Sequence, residues 1–198
     1  MTSSVRATLR PMFDELSNDR VIVRPYRPED ANDLFTSVVA SREHLLPWLP
    51  FVTRYETIDD AHEFMNRMRA AWLLREDFNA GVWDARDGRF VGAIGLHPRD
   101  WAVPAFEIGY WLRSDATGRG YITEAVKLLT DFAFASCGAK RVFIQCDARN
   151  QRSAAVPRRL GFIHEATLRN TAIAYDGALR STLIFALTPE DPRWPERD

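Results

Sequence analysis

The chain has 198 residues, of which 46% are hydrophobic and 27% are charged, and its formal net charge at pH 7 is −1. This length and composition predict a single globular domain with a full hydrophobic core. The near-zero charge argues against a basic nucleic-acid surface, and the lack of an apolar run long enough to cross a bilayer argues against a membrane span. We therefore expect neither nucleic acid nor a membrane among the partners.

The two cysteines, Cys137 and Cys146, have no histidine or cysteine partners at the spacings of a metal site. We predict no metal, and two reduced, partly buried thiols. Residues 1–10 lack the apolar segment of a secretory signal. These features together predict a cytoplasmic protein.

Apolar periodicity and turn residues predict the elements of the first half of the chain. The expected strands are residues 21–26, 78–84 and 90–96, with residues 12–16 lying along the first of them. The expected helices begin at Pro28, cover residues 41–46, and run from Thr57 to about Glu76. Thr57 is a favourable N-cap. Residues 97–101 should connect the hairpin to the next strand.

A strand, a turn and a helix at residues 106–125 organise the rest of the chain. Alternating apolar residues should share one face of this strand, namely Phe106, Ile108, Tyr110 and Leu112. Glu107 should lie on the opposite face. Gly118 and Gly120 keep the turn free of Cβ atoms, so that a ligand can approach its backbone. Free N–H groups at the start of the following helix, together with the helix dipole, predict a phosphate site.

Three further strands are expected beyond this helix, at residues 141–146, 162–167 and 179–187. A short helix should separate the first two of them. Ser153 is expected to cap this helix, and Gly161 is expected to stop it.

Two motifs in the second half of the chain resemble one protein family. The turn reads Thr-Gly-Arg-Gly-Tyr-Ile at residues 117–122, and the second motif runs from Asn150 to Phe162. Together they resemble the GCN5-related N-acetyltransferases (GNAT), and specifically the RimJ/RimL-like group of ribosomal-protein N-terminal acetyltransferases. The resemblance extends from about Arg20 to about Leu187, which would leave loosely held ends on a single domain spanning residues 1–198.

The resemblance implies a fold and a cofactor. The fold would be α/β, with a mixed, mainly antiparallel sheet of about seven strands, helices on both faces, and a V-shaped opening between the central strand and residues 141–146. The cofactor would be acetyl-CoA, with its pantetheine arm along the central strand and its diphosphate on the amides of the turn. The implied contacts are Trp111, Leu112, Thr117, Gly118, Arg119, Gly120, Tyr121, Ile122, Thr123, Asn150 and Ser153.

Three residues depart from the pattern of this family. Thr117 and Ile122 stand in a turn that usually reads Gln/Arg-x-x-Gly-x-Gly/Ala, and the bulk of Ile122 is expected to push the phosphates outward. Pro157 stands where many relatives carry a tyrosine that acts as general acid. A thiolate whose thiol has a pKa near ~8.5 leaves tolerably without strong acid help, so activity is still expected.

Glu107 and Ser153 are the candidate catalytic residues. By resemblance, Asn150 and Ser153 contact CoA near its sulfur, and Ser153 passes a proton to the leaving thiolate. The alternative is that the two are a turn residue and a helix cap. Glu107 is the candidate base for the attacking amine, and the alternative is a strand carboxylate paired with an arginine. His97 and Asp100 are further candidates for the base, although a histidine at a strand end is commonly structural.

The acceptor groove is expected in the least regular part of the chain, between residues 44 and 55. The candidate acceptor-binding residues are His44, Trp48, His97 and Trp101. Trp101 would line the groove from the opposite side, whereas Phe51 is assigned to helix packing.

The resemblance implies N-acetylation of a primary amine by direct attack in a ternary complex, because no motif marks an acyl-enzyme nucleophile. The expected acceptor is a protein N-terminal α-amine. Two alternatives stay open: a small amine such as a polyamine, an aminoglycoside or an aminoacyl antibiotic, and a CoA-binding module without catalysis. The sequence also leaves the oligomeric state open, with a homodimer among the arrangements considered.

Overall fold

The computed structural model describes residues 11–191, and the expectations for residues 1–10 and 192–198 concern segments outside that range. The strands are β1 (Leu16–Ser17), β2 (Val21–Pro25), β3 (Phe78–Asp84), β4 (Phe90–Asp100), β5 (Ala105–Leu112), β6 (Arg141–Asp147), β7 (Ile163–Ile173) and β8 (Leu179–Leu187). The α-helices are α1 (Ala31–Ala40), α2 (Arg42–Leu45), α3 (Ile58–Leu74), α4 (Tyr121–Ala135) and α5 (Gln151–Arg159).

All eight strands form one sheet, in the order β1-β2-β3-β4-β5-β6-β8-β7. Neighbouring strands are antiparallel except β5 and β6, which are parallel. The prediction of a mixed, mainly antiparallel sheet is therefore confirmed. The two-residue β1 adds an eighth strand to the seven or so that were expected.

Helices cover both faces of the sheet, as the resemblance implied. On one face, α4 and α5 pack against alternate strand residues that include Ile94, Phe106 and Ile108, all nearly or fully buried. On the other face, α1 and α3 pack against residues of the opposite alternation, including Trp83 and Ala93. The alternation along β5 that the sequence predicted is thus observed, because Phe106 and Ile108 point into the core on the α4 side.

The main difference from the predicted elements lies after the hairpin. Residues 97–100 continue β4 instead of forming a connection, and His97 and Pro98 lie opposite Glu107 and Phe106 of β5. The register shifts between Pro98 and Asp100. A bulge of this kind tolerates a proline, which has no N–H to give to the ladder. The strand therefore continues through a sequence that resembles a loop.

Candidate active site

A cleft opens in the middle of the sheet where β5 and β6 separate. The two strands pair only between residues 105–107 and residues 141–143. Beyond these residues they diverge, and the space between them forms a cavity of about 1250 Å³ lined by both strands, by α2, and by the starts of α4 and α5. This is the V-shaped opening that the resemblance implied.

One backbone edge of β5 faces this cleft. On its other edge, β5 pairs with β4 as far as Leu112. Among residues 11–191, no strand pairs with residues 108–112 on the cleft side. Half of the N–H and C=O groups of a strand point to each edge, so this stretch offers donors and acceptors to an extended ligand. Trp111 and Leu112, both predicted contacts, line the cleft.

The N-terminus of α4 forms one end of the cleft. Gly118 and Gly120 have φ values of +76° and +83°, a conformation that favours glycine. The structure records no hydrogen bond from the backbone N–H of residues 118–123 to another residue between 11 and 191. These amides and the positive end of the helix dipole together make a site for anionic oxygens.

Two arginines that the sequence did not reveal lie at this helix terminus. Arg20 Nη1 donates to the carbonyl oxygen of Arg119 at 3.0 Å, and Arg159 Nη1 donates to Thr123 Oγ1 at 2.9 Å. All four residues line the cleft. Arg20 comes from the start of β2 and Arg159 from the end of α5, so no local signal links them to the turn. Their guanidinium groups add positive charge where the free amides point.

The side chain of Tyr121 is buried away from the cleft, whereas Ile122 is largely buried but still lines the cleft. They are 1% and 7% exposed and belong to the hydrophobic core. The Tyr121 hydroxyl hydrogen-bonds to Asp84, whose carboxyl pKa is held well below its usual range, chiefly by Arg86 and also by Tyr121. Most of the bulk of Ile122 is thus accommodated by the core, while its effect on the phosphates stays a prediction.

The start of α5 forms a second wall of the cleft. Asn150 is the N-cap of this helix, since its Oδ1 accepts a hydrogen bond from the N–H of Ser153 at 3.0 Å. The prediction that Ser153 itself is the cap is wrong, because Asn150 already supplies the capping oxygen. Ser153 lies instead in the first turn and lines the cleft. Its neighbour across the cleft wall is Cys146, whose thiol pKa is raised by burial and partly lowered again by a hydrogen bond with Ser153.

Glu107 lies at the point where β5 and β6 separate, and it lines the cleft. Its Oε2 accepts hydrogen bonds from Arg99 Nε at 2.9 Å and pairs with Arg99 Nη2 at 2.8 Å. No partner within residues 11–191 is recorded for Glu107 Oε1. The carboxylate is thus fixed by one oxygen, while the other is available to a ligand.

His97 lies on β4 directly opposite Glu107 but is not among the residues that line the cleft. Its Nδ1 is 2.5 Å from Asp77 Oδ1. A Cβ at Gly95 would lie 2.5 Å from the imidazole, and one at Gly109 would lie 3.3 Å from it. The two glycines therefore leave room for the ring, which is oriented by Asp77 and lies beside the cleft.

His44 and Trp48 line the cleft on the side of α2, whereas Trp101 does not. Trp101 packs edge-to-face on Phe106, with 5.0 Å between ring centroids, and lies against the hydrophobic core. Burial, and secondarily the charge of Arg152, lower the pKa of His44. Of the four predicted acceptor-binding residues, the structure thus brings His44 and Trp48 together in the cleft.

Positive charge dominates the lining of the cleft. Its charged residues are the arginines Arg20, Arg119, Arg149, Arg152, Arg159 and Arg180 and the acids Glu107, Glu124 and Asp147. Arg149 pairs with Asp147 at 3.0 Å and with Asp176 at 3.2 Å. Within the described range 11–191, no ion pair is recorded for Arg152 or Arg180. Two guanidinium groups without a direct ion pair therefore border the cleft on the side of His44 and β8, and the charge of Arg180 also helps Arg149 to lower the pKa of Asp147 against the opposing effect of burial.

The described part of the chain contains neither a candidate metal site nor a candidate membrane span. No group of three or more His, Cys, Asp or Glu side chains between residues 11 and 191 is arranged to hold a metal ion. Over the same range, no helix combines the length and the apolar character that crossing a membrane requires.

Comparison with known proteins connects this cleft to acetyl transfer. A family model described as an acetyltransferase (GNAT) domain matches residues 20–163. The chain is 31% identical over 160 residues to the protein named "Putative ribosomal N-acetyltransferase YdaF" of Bacillus subtilis, and the match covers 80% of this chain and 86% of that protein.

Solved structures show the same architecture. RimJ of Mycobacterium smegmatis, in complex with CoA-disulfide, has a TM-score of 0.81 and 27% identity, over 89% of this chain and 88% of that one. RimL, named as a ribosomal L7/L12 alpha-N-protein acetyltransferase and solved with coenzyme A, has a TM-score of 0.82 and 16% identity, over 88% of this chain and 97% of that one. At this lower identity, the likeness to RimL shows the fold alone.

Proposed function

Because the chain belongs to the acetyltransferase (GNAT) family and uses acetyl-CoA as its cosubstrate, we propose that it acetylates the N-terminal α-amine of a protein of the ribosomal type. One observation carries the choice of acceptor. Arg152 and Arg180 border the acceptor side of the cleft, and neither forms a direct ion pair with a residue between 11 and 191. Like charges repel strongly in a partly desolvated cleft, which disfavours polyamines and aminoglycosides. A ribosomal acceptor would place the reaction in the cytoplasm.

Acetyl-CoA is proposed to lie along the cleft from α4 to α5. The amides of residues 118–123 would bind the diphosphate, with the charges of Arg20, Arg119 and Arg159 beside them. The free edge of β5 at residues 108–112 would hydrogen-bond the pantetheine arm as an added strand would. This direction brings the sulfur to Asn150 and Ser153, and the thioester to the diverging end of β5.

In the proposed reaction, the neutral amine attacks the thioester carbonyl directly. The C–N bond forms first and gives a tetrahedral intermediate, which collapses as the C–S bond breaks and the electron pair of that bond leaves with the CoA sulfur. Glu107 accepts the proton that the nitrogen loses, through its free Oε1. Ser153 passes its own proton to the sulfur and recovers one from water. A backbone N–H of β5 near Trp111 would stabilise the oxyanion of the tetrahedral intermediate.

On the acceptor side, His44 and Trp48 are proposed to line the entrance for the peptide. His97 does not line the cleft, so it has no direct contact with the amine in this proposal and lies opposite Glu107 on the neighbouring strand. Trp101 has no role in this proposal, because it packs on the core beside Phe106.

The test is a proteomic screen followed by defined acceptors. The purified protein is incubated with isotopically labelled acetyl-CoA and a lysate from which small molecules have been removed by ultrafiltration, and newly labelled N-terminal peptides are identified by mass spectrometry. Spermidine, an aminoglycoside and synthetic peptides are then tested as separate acceptors. Labelled α-amines that disappear with Glu107→Gln support the proposal. Labelling of spermidine or an aminoglycoside, with no labelled peptide, would favour the small-amine alternative. Tight CoA binding with no labelled product from any acceptor would favour a module without catalysis.

A further inference from the structure

A proline interrupts the hydrogen bonding of α5 close to the cleft. Pro157 lies inside this nine-residue helix and is buried. Proline has no backbone N–H, so the carbonyl four residues earlier loses its helical donor. That carbonyl belongs to Ser153, the residue proposed to donate a proton to the CoA sulfur. A buried carbonyl without a donor costs free energy unless another group hydrogen-bonds to it.

The hydroxyl of Tyr110 supplies the missing hydrogen bond. Tyr110 Oη donates to the carbonyl oxygen of Ser153 at 2.8 Å, and it lies 3.3 Å from Ser153 Oγ, which donates to it. Tyr110 comes from β5, so this contact spans the cleft between β5 and α5. Burial raises the pKa of the Tyr110 hydroxyl above its usual value, which keeps it protonated and able to donate.

We propose that Tyr110 is a positioning residue: its phenol replaces the N–H that Pro157 lacks and, by contacting both the carbonyl and the hydroxyl of Ser153, fixes Oγ at the cleft, where the hydroxyl turns from Tyr110 to the CoA sulfur when it gives up its proton. The replacement of the N–H stands on geometry alone. The consequence for acetyl transfer rests on the proposed function, in which Ser153 acts at the sulfur. A backbone N–H at position 157 should therefore compensate for loss of the Tyr110 hydroxyl in the stability of the protein, but not in its catalytic rate.

The first test is thermal unfolding of a double-mutant cycle. Tyr110→Phe removes the side-chain donor to the Ser153 carbonyl, and we expect Tm to fall by about 3–8 °C. Pro157→Ala restores a backbone N–H and should change Tm by less than about 2 °C on its own. The double variant should recover at least half of the loss. Tyr175→Phe is the control, because the exposed Tyr175 has no recorded hydrogen bond with residues 11–191. A double variant no more stable than Tyr110→Phe would overturn the replacement.

The second test is kinetic and uses a synthetic peptide with a free N-terminal serine as the acceptor probe. We expect Tyr110→Phe to lower kcat about tenfold with little change in the KM of acetyl-CoA, and Tyr110→Phe/Pro157→Ala to remain low in kcat despite its recovered Tm. Tyr110→Phe should add no loss in a Ser153→Ala background. The positioning role is overturned if the double variant recovers kcat together with Tm. It is also overturned if the losses in kcat from Tyr110→Phe and Ser153→Ala add. If the unsubstituted protein acetylates no acceptor, the proposed function fails while the unfolding cycle still decides the hydrogen-bond replacement.

Discussion

Arg99 binds Glu107 through a single carboxylate oxygen: its Nε and Nη2 both contact Oε2, at 2.9 and 2.8 Å. Both residues lie on neighbouring strands, Arg99 on β4 and Glu107 on β5. The pair holds the carboxylate at the mouth of the cleft without occupying Oε1. An ion pair of this kind commonly marks a structural carboxylate, but here it leaves Oε1 as a proton acceptor on a residue that lines the cleft.

Glu107→Gln should therefore lower kcat/KM for a peptide acceptor by about 10–100-fold at pH 7. The loss should be larger at low pH, because an α-amine with a pKa of about 7.7–8.0 is then mostly protonated and must lose a proton to react. The measurement is the pH–rate profile of both proteins between pH 6 and 9. Glu165→Gln is the control, since Glu165 is also paired with an arginine, Arg141, but does not line the cleft. A profile unchanged by Glu107→Gln would remove this residue from the role of base.

Gly118→Ala should weaken the binding of CoA by about tenfold or more, because a Cβ enters the turn that is proposed to bind the diphosphate. Its matched control is Gly88→Ala, in the turn between β3 and β4. Both glycines have positive φ, +76° and +72°, and a Cβ at either position would meet nothing within 4 Å. Both variants should thus lose about 1–2 kcal/mol of stability from the left-handed backbone, while only Gly118→Ala loses affinity. Equal CoA affinities by calorimetry would contradict the proposed diphosphate site.

The pKa of His44 should depend on the charge of the cleft. Burial, and then the nearby charge of Arg152, lower its pKa below the ordinary value of 6.5. The folded protein therefore binds this proton less readily than the unfolded chain. As the pH falls below about 6.5, the unfolded chain is protonated first, and His44 should reduce the free energy of unfolding until the pH passes its lowered pKa.

Arg152→Gln removes one of the two causes and should raise the pKa of His44 toward 6.5. The imidazole resonances of His44, titrated by NMR, measure this directly. Arg69→Gln makes the same change of charge on an exposed residue of α3 and should leave the titration of His44 unchanged. A pKa of His44 that is the same or lower in Arg152→Gln would show that the arginine does not act on it.

Local signals in the sequence account for most of the fold. The alternation of Phe106 and Ile108 fixed which face of β5 enters the core, and Thr57 marked the start of α3. The glycines of the turn indicated the start of α4, where the backbone N–H groups have no hydrogen-bond partner among residues 11–191. Each of these signals depends only on neighbouring residues, so it can be interpreted without knowledge of the tertiary structure. Residues 97–100 were mistaken for a connection because proline is normally excluded from strands. Pro98 is tolerated in β4 next to an irregularity in register that the sequence does not reveal.

The parts of the site that could not be predicted join distant segments. Arg20 is 99 residues from Arg119, and Tyr110 is 43 residues from Ser153. Nothing in the local sequence of either arginine or tyrosine indicates its partner, because such contacts depend on how the sheet splays. Ser153 was misassigned for a different reason: asparagine and serine are both favourable N-caps, and in the structure Asn150 makes the capping hydrogen bond.

The positive charge of the cleft should make acidic peptides better acceptors than basic ones. Among synthetic peptides with the same N-terminal serine, those with acidic second and third residues should have a kcat/KM about 3–10-fold higher than those with lysines there, and the preference should weaken with salt. Arg180→Gln should reduce this preference while sparing CoA affinity. Arg169→Gln, on exposed β7 outside the cleft, is the control. A preference for lysine-containing peptides would contradict the assignment of the acceptor.

The most direct measurement is a crystal structure of the protein with CoA bound. We expect the diphosphate oxygens within about 2.7–3.2 Å of amides among residues 118–123, the pantetheine arm along residues 108–112, and the sulfur within hydrogen-bond reach of Ser153. CoA bound outside the opening between β5 and β6, or a diphosphate held without these amides, would contradict the account.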